Sequence, residues 1–85
     1  MFKIKAADGT NNLSGKTIAR IRKSQKISQR KLAKKMQLLG FDVDHYFIRR
    51  VENGERFVTD IDLVIFSRAL DVPITDMLSA EDAQL

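Results

Sequence analysis

Residues 28–54 read SQRKLAKKMQLLGFDVDHYFIRRVENG, and the spacing of apolar residues along this stretch sets the architecture. Leu32, Ala33, Met36 and Leu39 recur three and four residues apart, as one face of an α-helix requires. Ser28, just before them, can accept a hydrogen bond from a free N–H of the first turn. Gly40, just after them, can leave the helix in the left-handed conformation. Asp44 is a second start signal. On a wheel of 100° per residue, Phe47, Ile48 and Val51 fall together on one side. His45, Tyr46, Arg49 and Arg50 fall on the other, and Asn53-Gly54 supplies the stop. The stretch therefore predicts two amphipathic helices joined by a turn. The second has an apolar flank and an outer face carrying an imidazole, a phenol and two guanidinium groups.

The same signals recur on either side. Ser14 is a predicted N-cap for a first helix reaching about Ser24, with Ile18 and Ile21 facing inward. Thr59 or Asp60 begins a fourth helix that ends near Leu70, with Leu63, Phe66, Ser67 and Leu70 on one face. Pro73 prevents simple continuation, and a short fifth helix is expected around Thr75 to Leu78. No useful segment has strand periodicity. The expectation is an all-α domain of five small helices over residues 13–78. Residues 1–12 form a flexible N-terminal arm with no assigned role, and 79–85 form a C-terminal tail. In the arm, Phe2 and Ile4 alternate with Lys3 and Lys5 as in a short strand, but Ala-Asp-Gly-Thr-Asn-Asn breaks any element.

Composition narrows the function. Eighty-five residues, 44% hydrophobic and 31% charged, suit one domain with one modest core. There is no cysteine, so disulfides, thiolate metal sites and a cysteine nucleophile are excluded. No apolar run approaches the ~18 residues of a membrane span, and Met1 to Lys5 lacks the apolar stretch of a signal peptide. A soluble cytoplasmic protein is expected. His45 is the one histidine, with only Asp42 and Asp44 nearby as further ligand types, so no metal site is expected. No glycine-rich phosphate loop and no nucleophile–base pair is present, so no enzyme, cofactor or small-molecule substrate is expected either.

The net charge of +4 is unevenly spread. Lys16, Arg20, Arg22, Lys23, Lys26, Arg30, Lys31, Lys34 and Lys35 lie between Gly9 and Phe41 without a single acid. From Phe57 to Leu85 Arg68 is the only base, among six acids. The first half would attract a polyanion and the second would not. Arg30 and Lys31 occupy the first turn of their helix, where the macrodipole favours acids. Opposite a phosphate backbone the same choice becomes favourable. An α-helix fits the major groove of B-form DNA, and arginine can bridge O6 and N7 of guanine.

In this order, Ile21-Arg22-Lys23, Ile27-Ser28-Gln29-Arg30-Lys31-Leu32-Ala33, Ile48-Arg49-Arg50-Val51-Glu52-Asn53-Gly54 and Ala69-Leu70-Asp71-Val72-Pro73-Ile74-Thr75-Asp76-Met77-Leu78 resemble the Cro/repressor-type (XRE-like) helix-turn-helix domain. The likeness spans roughly residues 13 to 78. The chain departs from short-turn members by inserting Gln37 to Asp44 between helices 2 and 3, and so resembles a long-turn variant. The resemblance implies a five-helix, phage-repressor-like DNA-binding domain with the helix-turn-helix at helices 2 and 3. It implies a sequence-specific regulator of transcription in a bacterial or phage setting, associated with the nucleoid when bound.

Carried onto this chain, base contacts are expected from His45, Tyr46, Arg49 and Arg50. Phosphate contacts are expected from Ser28, Gln29, Arg30, Lys31, Asn53 and Arg56. Gln29 matches a glutamine that bonds a phosphate and buttresses the recognition helix. Arg22 and Glu52 match positions that pair across helices 1 and 3. Glu52 also lies beside the apolar stripe, where an unpaired charge is costly.

Ile61, Val64 and Ile65 lie off the inner face of helix 4. They form either a homodimer surface, at least on DNA, or a patch covered by the arm or tail. The alternative to a DNA-reading regulator is a protein-interaction module of a regulatory or toxin–antitoxin system built on the same fold.

Overall fold

The structure, a computed structural model, describes residue 5 and residues 9–78. The strand pattern around Phe2 and Ile4 and the tail 79–85 lie outside the described residues. Four α-helices are present among them: α1 (Gly15–Ser24), α2 (Gln29–Leu38), α3 (His45–Glu52) and α4 (Asp60–Leu70). The predicted fifth helix is a single 3-10 turn, Ile74–Met77. Pro73 stands immediately before it with φ −64°, the angle its ring imposes.

Side-chain oxygens cap all four starts, three of them from the residue immediately before the helix. Ser28 Oγ accepts from Lys31 N, and Asp44 accepts from Phe47 N. Thr59 forms a reciprocal capping box with Asp62, which settles the choice between Thr59 and Asp60. Each such cap contributes about 1 kcal/mol. At α1 the predicted Ser14 cap makes no side-chain capping bond. Ser14 is already in helical conformation and almost fully buried. The capping oxygen comes two residues earlier, where Asn12 Oδ1 accepts from Gly15 N at 2.7 Å.

All four helices stop the same way. One residue takes a left-handed conformation, and the next N–H reaches back five residues to a helix carbonyl. The pairs are Ile27 N to Arg22 O, Phe41 N to Met36 O, Glu55 N to Arg50 O and Val72 N to Ser67 O. This is the Schellman arrangement. The left-handed residues are Lys26, Gly40, Gly54 and Asp71. Glycine is the cheap choice at such a position, and only two of the four are glycine.

The core is a single cluster of Ile18, Leu32, Ala33, Met36, Phe47, Ile48, Val51, Phe66, Ala69, Leu70 and Met77. Phe47 of α3 stacks on Phe66 of α4 with ring centroids 6.0 Å apart. Gln25, just past α1, donates to Leu70 O and ties that corner to the end of α4. Leu39 departs from the predicted stripe. It is the C-cap of α2 and 46% exposed, because the helix stops one residue too soon to turn it inward. Ile21, Leu63 and Ser67 are half-buried rather than central.

Residues 39–44 form an ordered, packed turn. Phe41 and Val43 pack against the core, and Phe41 lies 6.0 Å from the Phe47 ring. Gln37 holds the segment to α2 by donating to Val43 O at 2.7 Å.

Lys26, with φ 59°, sits in a region that costs an L-residue about 1–2 kcal/mol. Lys26→Gly should raise stability by about 0.5–1 kcal/mol, after the extra entropy of glycine in the unfolded chain is subtracted. A rise in the urea midpoint at unchanged m-value is the expected reading.

Candidate nucleic-acid interface

The outer face of α3 comes from the sequence pattern of its eight residues. Phe47, Ile48 and Val51 are buried and fix the rotation of the helix about its axis. Tyr46, Arg49 and Arg50 are then exposed, and His45 is half-exposed. The 39–44 turn does not cover this face, since Tyr46 keeps 57% of its surface in solvent. Arg49 and Arg50 also lie in the last turn of α3, where cations complement the helix dipole.

The axis of α3 is set by a buried ion pair. Arg22 on α1 donates from Nε to Glu52 Oε2 at 2.7 Å and from Nη2 to Glu52 Oε1 at 3.0 Å. Its third nitrogen, Nη1, donates to Ile27 O at 2.9 Å. Gln29 Nε2 donates to Glu52 Oε1 at 3.0 Å. The two charged side chains are only 10% and 6% exposed. Parallel, two-pronged geometry with the remaining donors satisfied is what allows such a pair to persist out of water. The cluster joins the end of α1, the first residue of α2 and the last residue of α3.

The Gln29–Glu52 bond places the start of α2 beside the end of α3. Ser28, Arg30 and Lys31 are exposed at that start, and Asn53 is exposed just past α3. Arg56 stands apart from this group. Its guanidinium carbon lies 4.7 Å from the centre of the Phe47 ring, a cation–π contact. It shares a cleft with Gln37, Asp42, Val43 and Asp44 on the flank of α3.

Three residues with no role in the sequence reading hold the opposite flank. Asn12 Nδ2 donates to Val51 O at 3.0 Å and to Arg56 O at 2.8 Å. Asn11 Nδ2 donates to Glu55 O at 2.9 Å, and Asn11 N to Gly54 O at 2.8 Å. Thr10 lies against Gly54, so a Cβ there would fall 2.5 Å from its methyl group. Asn11 and Asn12 thus bond the end of α3 and the loop after it carbonyl by carbonyl, with Thr10 packed against Gly54. Gly15 completes the closure, since a Cβ on it would lie 2.2 Å from Val51 O. Asn-Asn before a helix start is a capping signal. Its second use, on carbonyls some 40 residues away, follows only from the packing of α1 on α3.

Ile61, Val64 and Ile65 do not behave alike. Ile61 is 65% exposed and Val64 is half-buried. Ile65 packs against the core.

Residues 18–77 match a family model described as helix-turn-helix. Among solved structures, the chain is similar to the restriction-modification controller protein C.AhdI from Aeromonas hydrophila. The TM-score is 0.66 at 25% sequence identity, over 76% of this chain and 91% of that one. A comparison with curated proteins found no significant match.

Removing Glu52 would leave the Arg22 guanidinium buried with half its partners gone. Glu52→Ala should cost about 3–5 kcal/mol, a large part of the stability of a domain this small. The double change Arg22→Met with Glu52→Leu should recover most of it. Urea denaturation of the three variants checks both statements.

Proposed function

The chain belongs to the helix-turn-helix family, in its XRE type, and we propose that it regulates transcription by reading a specific DNA sequence in the major groove with α3. The observation that carries this reading is the exposed face of α3, with its two arginines and two aromatic side chains. That face is backed by a buried flank, which fixes its direction. Arg49 and Arg50 are the candidate base readers, because a guanidinium can meet O6 and N7 of guanine in bidentate fashion. His45 and Tyr46 occupy the first turn, the end of a recognition helix that approaches base edges in this class of motif.

The phosphate backbone is the assigned partner of Ser28, Gln29, Arg30 and Lys31 at the start of α2, together with Asn53. Free N–H groups, the helix dipole and two cations converge there on an anion. The Gln29 amide nitrogen carries a second hydrogen beyond the one given to Glu52, so it can bond a phosphate while bracing α3. Arg56 joins this group only by leaving the Phe47 ring.

The protein acts as a homodimer, at least on DNA. Ile61 and Val64 on α4 are the proposed contact. Ile65 contributes only the part of its surface that the core leaves open. A two-fold dimer would set two α3 helices about 34 Å apart on a palindromic site. The similar controller protein C.AhdI supports a regulatory role. Its link to restriction-modification comes to this chain only as a candidate setting.

Two experiments test the reading. Arg50→Ala should weaken binding to a selected site by about 1–3 kcal/mol more than binding to random duplex. Lys31→Ala should weaken both alike and make the salt slope shallower by about one unit. Equal losses on both duplexes for Arg50→Ala, or an unchanged slope for Lys31→Ala, would reject the respective roles. For the dimer, Ile61→Asp should shift sedimentation of the DNA complex from two chains to one. A complex that holds one chain with the unaltered protein would reject this surface.

A further inference from the structure

Charge does not explain everything on the outer face of α3. Tyr46 keeps 57% of its surface exposed, in a fold that stacks its other central rings, Phe47 and Phe66, on each other. Its ring lies 4.2 Å from the His45 ring, with 33° between the planes. Tyr46 therefore has one neighbouring ring beside it and more than half of its surface turned to solvent. Arg49 and Arg50, three and four residues on, are its neighbours along the helix surface. The pattern is an aromatic plate set beside two cations.

The major groove offers that plate one matching feature. Its base edges are hydrogen-bond donors and acceptors, except for the 5-methyl group of thymine. Guanidinium groups match the polar edges, and ring carbons match the methyl. The tilted contact with the His45 ring leaves Tyr46 less room to swing, so the methyl would meet a surface already in position. The flanking arginines make DNA the occupant that charge complementarity favours. We propose that Tyr46, steadied by His45, reads a thymine through its 5-methyl group. This rests on α3 entering the major groove, as proposed above, and adds the base that its aromatic end selects.

The test uses the full chain and a site selected from random duplexes. Each thymine of that site is replaced in turn by deoxyuridine, which differs only in lacking the methyl. One position in each half-site should then bind about fourfold more weakly, the worth of one buried carbon. Tyr46→Ala should weaken the thymine duplex and abolish the thymine–deoxyuridine difference. Tyr46→Phe, which keeps the ring, should keep the difference. His45→Ala should shrink the difference, and His45→Phe should restore it by keeping a ring beside Tyr46.

The proposal fails if no thymine is sensitive, or if the sensitivity survives Tyr46→Ala. It also fails if Tyr46→Phe abolishes the difference, which would assign it to the phenol hydroxyl. Failure with Arg50→Ala still altering base preference would overturn this inference and leave groove reading by α3 intact. A selection that returns no sequence preference would remove both.

Discussion

The bond between Arg22 and Glu52 governs the relation of the first three helices. It is made in two prongs, at 2.7 and 3.0 Å, by side chains that are almost wholly out of water. Neither charge could be left alone there, because an unpaired buried ion is far more costly than a paired one is helpful. Arg22 also holds the Ile27 carbonyl, and Glu52 also takes the Gln29 amide. A single cluster therefore fixes where α1 ends, where α2 begins and where α3 stops. The buried flank Phe47, Ile48 and Val51 sets the rotation of α3, and this cluster holds its far end in place.

The other flank is held by neutral groups. Asn12 both starts α1 and binds the last turn of α3, and Asn11 binds the loop that follows. The close approach at Gly15 lets these bonds form. Asn53 lies within this braced loop, and Arg56 follows it, so the backbone behind two candidate phosphate contacts is fixed before any DNA arrives. Fixing that backbone in advance lowers the entropy lost on binding.

Most of the fold was legible along the chain. The stripe Leu32, Ala33, Met36 and the triplet Phe47, Ile48, Val51 are local patterns, and each helix obeys its own periodicity. The caps at Ser28, Asp44 and Thr59 and the exit at Gly40 are local as well. Leu39 was misplaced because periodicity does not say where a helix ends. Ser14 was misread because a hydroxyl before a helix looks like a cap even when Asn12 has already filled that role. A wheel places Ile65 off the inner face of α4 without showing how far neighbouring helices extend, and the core still reaches part of it.

The sequence by itself determined the four helices, their inner faces, and the basic and aromatic face of α3, since these depend on spacing within a few turns. It also pointed to the Arg22–Glu52 pair, through its likeness to a known pattern. Only the tertiary structure decided that Asn11 and Asn12 clasp the loop after α3, and that Arg56 lies on Phe47 rather than with the start of α2. It alone showed the His45 and Tyr46 rings tilted against each other with more than half of the tyrosine left open. Those relations join residues far apart in the chain, or depend on which side of a helix its neighbours leave free. Long-range contacts of that kind follow from how helices pack, and no local periodicity encodes them.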